Sequence, residues 1–102
     1  MNDKFIDDLV DSVILPAVEV QNETAIKAAK SYAPKDTGKL AESIIGEVAT
    51  DKTAITSSIG SPLEYSIYQE LGTSKFPGQH FMRRGILRSI KVLEKELLEN
   101  MK

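Results

Sequence analysis

Ile44-Ile45-Gly46-Glu47-Val48-Ala49, Thr50-Asp51-Lys52 and Thr53-Ala54-Ile55-Thr56-Ser57-Ser58-Ile59 form the stretch that decides the fold. Two segments rich in β-branched residues flank a short polar turn, which predicts a hairpin with strands from about Ile44 to Ala49 and from Thr53 to Ile59. Alternation sends Ile55, Ser57 and Ile59 to one face and Ala54, Thr56 and Ser58 to the other, so one face needs a cover. A two-stranded ribbon is marginal by itself, and helices must therefore pack on it.

Upstream, Val13, Ala17, Val20, Thr24 and Ala28 recur at helical spacing and predict a helix from about Asp3 to Ala33. Pro16 removes a backbone donor inside it, yet the stripe keeps its register, which favours a kinked continuous helix. Asp3, Asp7 and Asp11 repeat every four residues on the opposite face, where carboxylates complement the helix dipole or form an acidic docking strip. Ala33-Pro34 ends the helix, because a residue before proline is pushed out of the helical region. Asp36-Thr37-Gly38 then turns the chain, and Leu40, Ser43 and Ile44 fit a single helical turn leading into the first strand.

Downstream, Ser61-Pro62-Leu63-Glu64 reads as a capping box with proline at the first helical position, so a short helix is expected to begin there. It carries Tyr65, Tyr68 and Leu71 on one face and stops at Gly72, the residue type suited to a left-handed cap. Thr73 to Gln79 reads as an exposed loop. A last helix runs from about Phe81 to Asn100, with Met82, Ile86, Ile90, Leu93, Leu97 and Met101 on an apolar stripe. The sum is an α+β domain: a long kinked N-terminal helix and a C-terminal helix on a small antiparallel sheet, with a short helix between.

The chain has 102 residues, 41% hydrophobic and 27% charged, which fits a single globular domain over residues 1–102. It has no cysteine, hence no disulfide framework and no thiolate metal site. Val13 to Val18 is the longest apolar run, six residues where a membrane-crossing helix needs about 20. The acidic start of the chain does not resemble a signal peptide, so an intracellular protein without membrane partners is expected.

Charge is unevenly distributed. Met1 to Ala25 holds six acidic residues and one lysine, whereas Lys75 to Lys102 holds seven basic residues and three glutamates. Arg83 and Arg84 crowd the start of the last helix and Glu96 and Glu99 its end, both against the helix dipole. Arg84, Arg88, Lys91 and Lys95 draw a basic stripe, either a solvated face or a surface for a protein or nucleic acid. The net charge of -2 argues against a generic nucleic-acid binder. His80 is the sole histidine, and neither a nucleophile elbow nor a glycine-rich phosphate loop exists, so no enzyme, metal or cofactor is expected.

Three segments carry a resemblance: Ala33-Pro34-Lys35-Asp36-Thr37-Gly38-Lys39-Leu40-Ala41-Glu42-Ser43-Ile44, Tyr65-Ser66-Ile67-Tyr68-Gln69-Glu70-Leu71-Gly72-Thr73, and Gln79-His80-Phe81-Met82-Arg83. In order and spacing they resemble the tail-completion, or head-tail joining, proteins of tailed bacteriophages and prophages. That family reads Ala-Pro-x-Asp-Thr-Gly-x-Leu-x-x-Ser-Ile, then Tyr-Ala-x-Tyr-x-Glu-x-Gly-Thr, then Pro-Phe-Leu-Arg-Pro-Ala. The likeness spans about Ala33 to Ile90. Its third piece departs, with His80, Arg84 and Gly85 where the family has proline, proline and alanine.

The resemblance implies a non-enzymatic virion-assembly protein that forms a ring at the neck or at the head-proximal end of a long non-contractile tail. Its implied partners are its own copies and other phage neck and tail proteins, around a ring through which DNA can pass without sequence-specific binding. The implied location is the virion, preceded by the bacterial host cytoplasm. The motif residues Pro34, Asp36, Thr37, Gly38, Leu40, Glu70, Gly72, Thr73, Phe81 and Arg83, with Ser61, read as fold-maintaining positions. Tyr65 and Tyr68 suit a core edge or a subunit contact. Opposite charge at the two chain ends suits head-to-tail contacts between copies, against an intramolecular pairing of the terminal helices. The alternative function is a small DNA-binding or regulatory protein that uses the basic C-terminal helix.

Overall fold

Pro16 shapes the first element. The structure is a computed structural model describing residues 3–34, 38–51, 54–63, 66–72, 78 and 80–102, without the side chains of residues 3, 68 and 69. Asp36, Thr37, Glu64, Tyr65 and Thr73 thus lie outside the described residues, as do the side chains of Asp3 and Tyr68. Helix α1 (Asp3–Leu9) continues through a π-helical turn, Val10–Ile14, into α2 (Leu15–Tyr32) with no break. The Leu15 N–H donates to the Val10 carbonyl, five residues back. Pro16 has no N–H for the Ser12 carbonyl and its ring presses on that group, so the turn before it widens. The expected continuity holds, and the accommodation takes the form of this wider turn.

The buried stripe of this continuous helix differs from the sequence reading at Val20 and Thr24. Val13, Ala17, Gln21, Asn22, Ala25, Ala28 and Ala29 are buried, whereas Val20 is 37% exposed and Thr24 half-buried. Two polar residues enter the core because they are satisfied there. Asn22 Nδ2 donates to Ser57 Oγ at 2.8 Å and to the Ser58 carbonyl at 3.1 Å. Ser57 Oγ donates to Gln21 Oε1 at 2.7 Å, and Gln21 Nε2 donates to Ser89 Oγ at 2.8 Å. This buried network ties α2 to the hairpin and to the last helix, and each bond is worth more in the interior than at the surface.

Ala33 takes an extended conformation before Pro34, ending α2 as expected. Gly38, at φ 78°, enters a short helix α3 (Lys39–Ser43). Strands β1 (Ile45–Thr50) and β2 (Ile55–Gly60) form an antiparallel two-stranded sheet in which Thr50 faces Ile55 and Ile45 faces Gly60. Asp51 closes the turn, its N–H donating to the Ala54 carbonyl and its Oδ1 accepting the Ala54 N–H at 2.8 Å. Ile55, Ser57 and Ile59 are half-buried while Ala54, Thr56 and Ser58 are exposed, the alternation expected. β1 lies so close to α2 that a Cβ on Gly46 would fall 2.4 Å from Asn22 Oδ1.

The next helix begins later than its capping signal. α4 spans Ser66–Leu71, and residues 61–63 are not helical. Ser61 Oγ does accept the Leu63 N–H at 3.1 Å, but it also shares a 2.6 Å hydrogen bond with Ser43 Oγ, which anchors the link to α3. The local signal thus forms a turn at residues 61–63, held by the contact with Ser43. Gly72, at φ 87°, terminates α4 as expected.

Helix α5 (Phe81–Asn100) has the expected limits, but its buried face is rotated from the expected stripe. Phe81, Gly85 and Ser89 are buried, while Ile86, Ile90 and Met101 are exposed. The reason lies at the crossing with α2, where a Cβ on Gly85 would fall 2.7 Å from the Ala29 nitrogen and 2.8 Å from the Ala25 carbonyl oxygen. Only small residues permit that approach, so the helices close on Ala25, Ala29, Gly85 and Ser89. Gly85 stands where the pattern of the resemblance has alanine, and its missing Cβ is what this packing requires.

The core joins Ala29, Ala33, Leu40, Ile44 and Phe81, with Ile26, Tyr32, Ile59, Leu63 and Met82 around it. Residues from the first and third resemblance segments therefore meet in one place. The molecule is mixed α and β, mostly helical, and elongated. Its radius of gyration of 16.1 Å exceeds the roughly 13 Å of a compact 100-residue domain.

Candidate interaction surfaces

Glu70, on α4, reaches the start of α5. Its Oε1 accepts the Met82 N–H at 2.7 Å and its Oε2 the Arg83 N–H at 3.2 Å. Both donors belong to the first turn of α5, which has no partners for them within the helix. The carboxylate also lies where the dipole favours negative charge, which offsets the opposed arginines at 83 and 84. The Glu70 carbonyl accepts the His80 N–H at 3.1 Å, and His80 Nδ1 lies 3.9 Å from Glu70 Oε2. His80 sits at φ 51°, ψ 39°, a conformation closed to the proline of the family pattern, whose φ is fixed near −65°. Glu70 was expected as a fold-maintaining position; its action across twelve residues on the next helix was not legible, because the cap is not local.

The basic stripe divides into two parts. Arg84 stacks its guanidinium 4.1 Å from the centre of the Tyr32 ring, and Arg88 Nη1 donates to the Tyr32 hydroxyl at 3.3 Å. Lys91 and Lys95 are exposed farther along α5. Tyr32 was not singled out from sequence, although an aromatic at the end of an amphipathic helix is a natural seat for arginine. At the other end, Asp7 and Asp11 are exposed on α1 and the π turn. Among the described residues no ion pair joins either of them to Arg84, Arg88, Lys91 or Lys95.

Among the described residues, large apolar side chains lie exposed in groups on three helices, besides Val20 on α2 and Ile45 on β1. Phe5, Ile6 and Leu9 line α1, with Phe5 63% exposed. Ile86, Leu87, Ile90, Leu98 and Met101 run along the outer side of α5, and Ile67 and Leu71 cover α4. The α4 pair borders a cleft of about 290 Å³ that also touches Glu70 and Met82. The sequence reading placed Ile86, Ile90 and Met101 on one apolar stripe and Leu71 on a face with Tyr65 and Tyr68, and did not single out Phe5, Ile6, Leu9 or Leu87. The alternation of Phe5, Ile6 and Leu9 with Asp7 and Asp8 was the available signal.

Among the described residues, no group of three or more histidines, cysteines, aspartates or glutamates could hold a metal ion, and no helix is long and apolar enough to cross a membrane. No protein-family model, curated protein or solved structure matches the chain.

Proposed function

We propose that this chain is a structural virion-assembly protein of a tailed phage or prophage, which completes the tail or joins it to the head as an oligomeric ring at the neck or head-proximal tail end. The observation that carries the reading is the amount of large apolar surface left open at unlike places on one small elongated chain: α1, α4 and the outer side of α5. Contiguous exposed apolar residues mark surfaces that await a partner. Two unlike patches per chain permit head-to-tail contacts, the kind that closes into rings. The resemblance of the three segments supplies the phage context. The clustering of Ala33, Leu40, Ile44 and Phe81 in the core, with Glu70 capping α5, supports reading the motif as fold maintenance, which leaves the surface between these positions for partners.

The DNA-binding alternative draws less support, because the chain carries a net charge of -2 and non-specific affinity for phosphates rests on an excess of lysine and arginine. Gold-labelled antibody against the chain tests the proposal. Label at the head-tail junction of purified virions is the expected result, and its absence from virions, with salt-sensitive retention on DNA, supports the alternative.

A further inference from the structure

The two ends of the molecule are complementary in both apolarity and charge. Asn100 Nδ2, at the end of α5, donates to the Val13 carbonyl at 3.2 Å, so the residues before Val13 continue the helical rod past the end of α5. On that projecting rod Phe5, Ile6 and Leu9 form an exposed apolar ridge, with Asp7 and Asp8 on either side of it by helical spacing. On the outer side of α5 Ile86, Leu87 and Ile90 form a second ridge, with the exposed Arg83 and Lys91 beside it. We propose that the α1 ridge of one copy docks on the α5 ridge of the next, Asp7 and Asp8 facing Arg83 and Lys91, as the repeating contact of the ring.

Within one chain the contact cannot form, because α1 is continuous with α2 and points away along the long axis of 55 Å. A second copy is the occupant that offers the matching signs of charge and the matching apolar ridge. A stable contact of ordinary size covers about 800 Å² per partner, roughly a tenth of this chain's 7425 Å². The contact is heterologous, so each copy uses one surface toward each neighbour.

This inference deepens the proposed function and rests on it for the ring, but its test needs only the purified chain. Sedimentation velocity should show mass rising with concentration for the wild type. Phe5→Ser/Leu9→Ser and Leu87→Ser/Ile90→Ser each alter one exposed ridge, and each should weaken self-association at least about tenfold. An equimolar mixture of the two variants should form dimers and nothing larger, since each supplies the surface the other lacks. Asp7→Lys/Asp8→Lys mixed with the Leu87→Ser/Ile90→Ser variant gives a check that does not depend on the α1 ridge substitutions. A wild type monomeric at millimolar concentration, either variant associating like the wild type, or a mixture that stays monomeric overturns the proposal. Head-tail label on virions together with any of those results leaves the function standing and removes this contact; the dimer with no virion label does the reverse.

Discussion

Glu70→Ala removes the carboxylate seated on the first turn of α5. Two backbone donors, at Met82 and Arg83, lose their acceptor, with bonds of 2.7 and 3.2 Å in the native chain. Loss of a side-chain cap costs about 1 kcal/mol, and loss of a carboxylate from a partly buried helix start about 0.5–1 kcal/mol more. The Glu70 side chain is only 17% exposed, so water replaces it incompletely and the upper end of each range applies. The sum is about 2 kcal/mol, and at about 4–8 °C per kcal/mol for this chain length the melting temperature should fall by roughly 10 °C. Glu70→Gln keeps one acceptor and loses the charge, which should give about half the effect. Arg83→Glu added to Glu70→Ala places a carboxylate back in the first turn and should recover part of the loss. Urea denaturation followed by circular dichroism reads all three. An unchanged midpoint for Glu70→Ala would refute the capping role and the account of how α5 tolerates Arg83 and Arg84.

Gly85→Ala forces a methyl against the backbone of Ala25 and Ala29 and should destabilise the fold by about 1–3 kcal/mol, although alanine is the better helix former; a stabilised variant in a thermal melt would refute the close crossing. Ser89→Ala leaves Gln21 Nε2 without its partner and should lower the urea midpoint by the equivalent of about 1–3 kcal/mol, with little change in helix content. Ser61→Ala removes the acceptor of the Leu63 N–H and the link to Ser43, so about 1 kcal/mol of stability should be lost while secondary structure persists; a null effect on the denaturation midpoint would show that this turn does not hold the chain between β2 and α4.

Local signals were legible where the structure is local. The hairpin strands appeared within two residues of their expected limits because β-branched alternation and the turn at Asp51 mark the strands locally, although the ribbon still depends on α2 for its cover. The stop at Gly72 and the end of α2 before Pro34 follow from single-residue backbone preferences. Faces were harder. A periodicity reading gives weight to large apolar residues, so it chose Ile86 and Ile90 for the interface, whereas the α2 crossing selects smallness at Gly85 and Ser89. It also chose Val20 over Gln21, because the partners that make a buried glutamine acceptable, Ser57 and Ser89, lie far along the chain. At Ser61 the hydroxyl caps a turn and pairs with Ser43, a contact the local pattern does not announce, and the Glu70 cap depended on α4 meeting α5. Of the interaction surfaces, the charged strips could be read from spacing, but the open apolar ridges emerged only once the core had claimed other residues.

The central claim, that this chain acts at the junction of head and tail, is tested most directly by electron microscopy of particles assembled without it. The account predicts filled heads beside unattached or misassembled tails, restored to joined virions when the wild-type chain is supplied in trans. Normal joined virions in its absence would contradict it.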